Sequence, residues 1–121
     1  MTTPHTAAGD EDIRTYIENN WTFIALIDDT DSEVTRIDIT GDARASFTSD
    51  ATTNPLTIEI TVEGGDADIP VPTTFTRSEL YKVSTGGDEL SGDDFTEGSA
   101  EIASTNDTLQ VTHDVEQPVI N

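Results

Sequence analysis

The stretch that most constrains this chain is Leu-Thr-Ile-Glu-Ile-Thr-Val-Glu, residues 56–63. Leu56, Ile58, Ile60 and Val62 fall on one parity, and Thr57, Glu59, Thr61 and Glu63 on the other. Successive side chains of a strand point to opposite faces, so strict period two marks a strand with one face in a core and one in water. The watery face carries Thr and Glu but no Lys, and Asp66 and Asp68 follow in the glycine turn beyond it.

That preference for acid over base runs through the whole chain. Asp and Glu total 25 against 5 Lys plus Arg, a net charge of -20 on 121 residues. So much charge with only 33% hydrophobic residues would ordinarily mean disorder. The period-two pattern argues against it, because a disordered segment has no reason to alternate. The acids recur in nearly every turn and on most polar strand faces, which reads as a surface adapted to molar salt, where the Debye length falls to about 3 Å. This composition resembles that of haloarchaeal proteins in general.

The charge also limits partners. No basic stripe exists to displace counterions from phosphates, so nucleic acid is not an expected partner, nor is an anionic membrane surface. The absence of cysteine removes disulfides, thiol nucleophiles and thiolate metal sites. The opening "MTTPHTAAGDEDIR" has no charged-then-apolar signal pattern, and no apolar run approaches the roughly 20 residues that span a bilayer. A soluble protein is expected, inside the cell or leaving it within an assembly.

Residues 1–9 read as an extended arm and 10–121 as a single β-sandwich domain with an N-terminal helix. In "GDEDIRTYIENN", Gly9 or Asp10 is the expected cap, and Ile13, Tyr16 and Ile17 form one stripe expected to be buried. "WTFIALI", 21–27, is apolar on both parities, as in a strand covered on both faces. A strand with Ile37 and Ile39 inward follows, then a short one near Ala43–Phe47 and the 56–63 strand. The two prolines of "DIPVPTTF" confine it to an edge or connection. "SELYKVST" is expected as a separate strand, with Tyr81 and Val83 on one face and Leu80 on the other. "GGDELSGDDFTEGS" reads as a long loop and "AEIAS" as a brief strand. The last strand sets Leu109, Val111, His113 and Val115 on one parity. The fold class is therefore mainly β: an antiparallel β-sandwich or barrel of six to seven short strands preceded by one short helix.

Candidate chemistry is sparse. Asp29, Asp31 and Glu33 begin a calcium-loop spacing, but neither the sixth-position glycine nor the twelfth-position Glu follows. This turn and "GGDELSGDD" are expected to bind cations weakly at most. His5 lies in the arm; His113 is expected to be half-buried and satisfied by one hydrogen bond. Carboxylate pairs are too abundant to be informative, and no nucleophile elbow surrounds any serine. Expected catalytic, cofactor and metal sites are therefore none, and the chain is expected not to be an enzyme. The large aromatics Trp21, Phe23, Phe47, Phe75, Tyr81 and Phe95 are expected in the core; Phe95, alone in a polar loop, is the best candidate among them for a subunit interface instead.

The order of features resembles a known group. A short helix runs into "WTFIALIDDT", then "EVTRIDI", then "SELYKVSTGGDEL" and a final "DTLQVTHDVE" strand. This is similar to small β-rich structural proteins of tailed viruses, in which a Glu-x-x-Arg segment precedes a Glu-led strand and a glycine-rich turn. Glu33 and Arg36 match the first; Glu79, Leu80, Tyr81 and Gly86–Gly87 match the second in part, Lys82 and Val83 departing from it. The resemblance implies a virion part. With the acid surface, it implies a capsid decoration or turret subunit of a haloarchaeal tailed virus, assembled in the host cytoplasm. Such a part would form a homo-oligomer and contact other virion proteins. A neck or tail protein and a carbohydrate- or receptor-binding module are the alternatives.

Overall fold

The structure, a computed structural model, describes residues 6–95 and 99–115. Helix α1 spans Ala7–Asn20, so part of the expected arm is helical; the rest of the arm that precedes Thr6 lies outside the described residues. The cap is Thr6 rather than Gly9 or Asp10: its hydroxyl accepts from the Gly9 N–H at 3.0 Å, leaving Asp10 inside the first turn, where the helix dipole favours it. Only Ile17 of the expected stripe is buried. Ile13 and Tyr16 remain 37% and 50% exposed, and Arg14 goes inward instead. Its guanidinium finds a partner there, donating from Nε to the Ala51 carbonyl at 2.7 Å. Trp21 closes the helix, donating its N–H to the Ile17 carbonyl.

Eight strands follow among the described residues: β1 Phe23–Asp28, β2 Glu33–Asp38, β3 Ala45–Phe47, β4 Leu56–Glu63, β5 Thr73–Tyr81, β6 Ser91–Asp94, β7 Ala100–Ile102 and β8 Thr108–Val115. They form two antiparallel sheets. The first runs β2-β1-β5-β6, with β7 also on β5; the second runs β3-β4-β8. The arrangement is a sandwich and not a closed barrel. Its shared core holds the alternating set from β4, which is fully buried, with Ile24, Leu26, Ile37, Phe75, Leu80 and Ile102 from the facing sheet. β1 is covered on both faces as its composition requires. Ala25 and Ile27 form a second, smaller cluster with Tyr81, and Arg36 lies 3.6 Å from the centre of the Tyr81 ring.

β5 corrects the expected break at residues 76–77. "DIPVPTTF" and "SELYKVST" contribute to one strand, and Val83 lies beyond its end, 44% exposed. The polar centre that hid this strand is satisfied by other elements: Thr76 donates to the Asp28 carbonyl, Arg77 bonds Glu79, Glu89 and Asp94, and Ser78 meets His113. The expected long loop likewise contains β6, paired with β5 from Arg77↔Asp94 to Leu80↔Ser91. Gly64 is required at the end of β4, since a Cβ there would stand 2.0 Å from the Ser104 carbonyl oxygen.

All five basic residues of the chain are engaged internally. Arg44 forks onto Asp42 (2.8 Å), Asp66 (3.2 Å) and Asp68 (2.8 Å), tying the 64–69 turn to the entry of β3. Asp68 also accepts from Thr35 of the other sheet at 2.6 Å. The Arg44 guanidinium, then the Thr35 hydroxyl, hold the Asp68 carboxyl down at about 2. Arg36 donates to the Val83 and Gly86 carbonyls and so fixes the Gly86–Gly87 loop, where both glycines take positive φ. Arg44→Met is expected to destabilise the fold by about 2–3 kcal/mol in urea unfolding, since it leaves three carboxylates facing one another. Arg44→Lys should recover little of that, lacking the planar fork.

Candidate functional site

Three features stand apart from ordinary packing. The first is a buried polar pin. His113 of β8 is completely buried and bridges the sheets, its Nδ1 2.6 Å from Ser78 Oγ of β5 and its Nε2 3.0 Å from Ser91 Oγ of β6. The sequence reading placed it correctly on the inward parity but expected half-burial and one hydrogen bond; it is fully enclosed and makes two. Burial lowers its pKa to about 4, against an opposing pull from Asp93. A Ser–His–Ser chain has the residue types of nucleophilic catalysis. Here the ring has no open face for a substrate and is a weak base at neutral pH, so the geometry suits clamping the two sheets.

The second is an apolar patch. Among the described residues four large apolar side chains are exposed: Ile13, Tyr16, Val71 and Val83. Ile13 and Tyr16, three apart, share the outer face of α1. Lys82, the only lysine, donates to the Tyr16 hydroxyl at 2.7 Å, which joins this helix face to the end of β5 next to Val83. The helical spacing gave a signal for this patch but assigned it to the core. It is exposed because Arg14 and Ile17 take the inward positions.

The third is an edge that is open among the described residues. β4 uses Thr57 and Thr61 toward β3 (the Thr57 carbonyl accepts from Thr48, and the Thr61 N–H donates to Arg44), while its continuation Gly64 donates to Asp107 on the β8 side. Antiparallel alternation then assigns Leu109, Val111, His113 and Val115 to the β4 ladder. The backbone groups of Thr108, Gln110, Thr112 and Asp114 point the other way. The Asp114 N–H is taken by Asp93 Oδ2 at 2.8 Å, which confirms the direction. Below that contact the sheets part in a cleft of about 440 Å³ lined by Phe95, Ala100, Leu109 and Val111, with Asp93, Asp94 and Asp114 also in its walls. Phe95, the interface candidate among aromatics expected in the core, is half-buried against the core and forms one wall of this cleft.

The acidic turns are occupied by their own chain. Asp28 Oδ1 accepts from the Thr30 N–H and hydroxyl and from the Ser32 N–H. Glu89 and Asp94 are both turned to Arg77. Among the described residues no three His, Cys, Asp or Glu side chains are grouped to hold a metal ion, and no helix is long and apolar enough to cross a membrane. Compared with protein families, curated proteins and solved structures, the chain matches none.

Proposed function

We propose that this protein is a non-enzymatic structural subunit that works through protein–protein contacts, set in the virion of a haloarchaeal tailed virus as a capsid decoration or turret part. The exposed Ile13–Tyr16 face beside Lys82 carries the contact half of this reading. On a surface where acids outnumber bases five to one, it is an apolar face with a cation beside it, and interface cores favour Tyr and exclude carboxylates. The occupant it fits is a second copy of the chain, whose acid coat offers carboxylates to Lys82. The diffuse acid surface supports the halophilic setting, and the order of helix, Glu33–Arg36 strand and Glu79-Leu80-Tyr81 segment before the Gly86–Gly87 turn supports the virion.

Light scattering on a sizing column in about 3 M KCl, where charge repulsion is screened, tests it. The native chain is expected to self-associate, and Tyr16→Asp or Ile13→Asp to leave a folded monomer. A native chain that stays monomeric at every concentration would sink the self-association reading. A carbohydrate-binding module is the second reading, favoured by the half-buried Phe95 in an acid-lined cleft. Calorimetric binding of simple sugars lost on Phe95→Ala would promote it.

A further inference from the structure

We infer that the outer edge of β8 is a strand-addition site for an extended, acid-free peptide segment of a partner protein. Strand edges are usually protected by shortness, Pro, Lys or a bulge. The other edges in this sandwich fit that rule: β3 has three residues, β6 four and β7 three, and β2 pairs with β1 through a register shift. β8 does not fit it. It has eight residues, pairs with β4 without a shift, and contains neither Pro nor Lys. Among the described residues no donor or acceptor meets the outward backbone groups of Gln110 and Thr112.

The chemistry of the occupant follows from the walls. From Thr108 to His113 six residues run without an acid, in a chain where 25 of 121 are acids. A strand laid there meets no charge along the open edge itself. Its inward side chains would enter the cleft against Phe95, Ala100, Leu109 and Val111, which suits Val, Ile or Ala. At the cleft, half-buried Asp93 repels an acidic segment and attracts Lys or Arg, and a partly buried charge escapes much of the screening by salt; Asp94 and Asp114 stand exposed at the rim, Asp94 already facing Arg77. The cleft has a wall on each side, so it admits a slender segment more readily than the flank of a second folded domain. The open stretch Thr108–Thr112 is about 17 Å long, enough for about five residues of an added strand.

This inference rests on the contact-protein reading but uses a different surface from the α1 patch, so the two fail separately. The probe is a labelled peptide of about eight residues, alternating Val and Thr, blocked at both ends and carrying a Lys near each. Fluorescence anisotropy in about 2 M KCl is expected to show saturable binding, weakened several-fold when both Lys are Glu. Gln110→Pro and Thr112→Pro remove only outward N–H groups, which an edge strand tolerates, and should each weaken binding about tenfold with unchanged circular dichroism. Ala100→Trp, which fills the cleft and leaves every β8 amide in place, should abolish it. Absence of peptide binding, or equal binding by the proline and tryptophan variants, would overturn the inference. So would a native oligomer that these variants dissociate, which would assign the edge to a second copy. Sugar binding in the cleft that the proline variants leave unchanged would overturn it as well.

Discussion

Dialysis of this protein from about 3 M KCl into dilute buffer is expected to unfold it, with loss of the far-ultraviolet strand signal. The reason lies in how the cations are used. All five are spent on internal contacts, and among the described residues Glu79 is the only buried carboxylate, held by Tyr81 and Arg77. The remaining described acids sit at or near the surface. At 0.01 M salt the Debye length of about 30 Å exceeds the radius of a domain this size, about 17 Å, so every carboxylate feels every other. For a net charge of -20, a screened-sphere estimate puts the repulsion opposing folding on the order of 20 kcal/mol at that salt, and on the order of 5 kcal/mol at 1 M. Domain stabilities are about 5–15 kcal/mol, so the first figure overwhelms the fold and the second does not. A midpoint between about 0.1 and 1 M KCl is expected. An unchanged spectrum in dilute buffer would count decisively against the halophilic reading.

Acid is expected to weaken the fold through His113, by a route separate from the carboxylates. In the unfolded chain this histidine takes up a proton near pH 6.5; in the fold, burial delays protonation to about 4. Between those values the unfolded chain holds a proton that the folded one does not. The stability His113 contributes is therefore complete above pH 6.5 and is lost as the pH falls toward 4, by about 3 kcal/mol in all. Asp93 opposes this loss and Arg77 reinforces it, both by their charges. Urea unfolding in molar KCl should show the native chain losing about that much more than His113→Asn over this interval. Equal pH slopes for the two would mean that the ring is not the proton acceptor. At neutral pH, His113→Ala should cost about 3 kcal/mol, since it opens a void and leaves Ser78 Oγ buried without its partner.

Much of the architecture was legible because a strand half in water writes its own pattern. Leu56–Val62, Ile37 with Ile39, and Leu109–Val115 all sit where period two placed them. The sandwich class and the helix before it follow from those segments and the turns between them. What failed was local pattern overruled by distant partners. Thr76-Arg77 looked like a break in a strand because the groups that satisfy it lie on β1 and β6. Ile13 and Tyr16 looked like core because helical spacing records a shared face but not which face turns inward.

By itself the sequence determined the alternation, the class and the acid surface, each a property of residues close together in the chain. Only the tertiary structure decided that His113 meets Ser78 and Ser91 across 35 and 22 residues, and that Arg44 gathers Asp42, Asp66 and Asp68. It alone left β8, among the described residues, with one paired edge and one open, because hydrogen-bond pairing between strands is set by where the sheets end in space, and no periodicity along the chain encodes that.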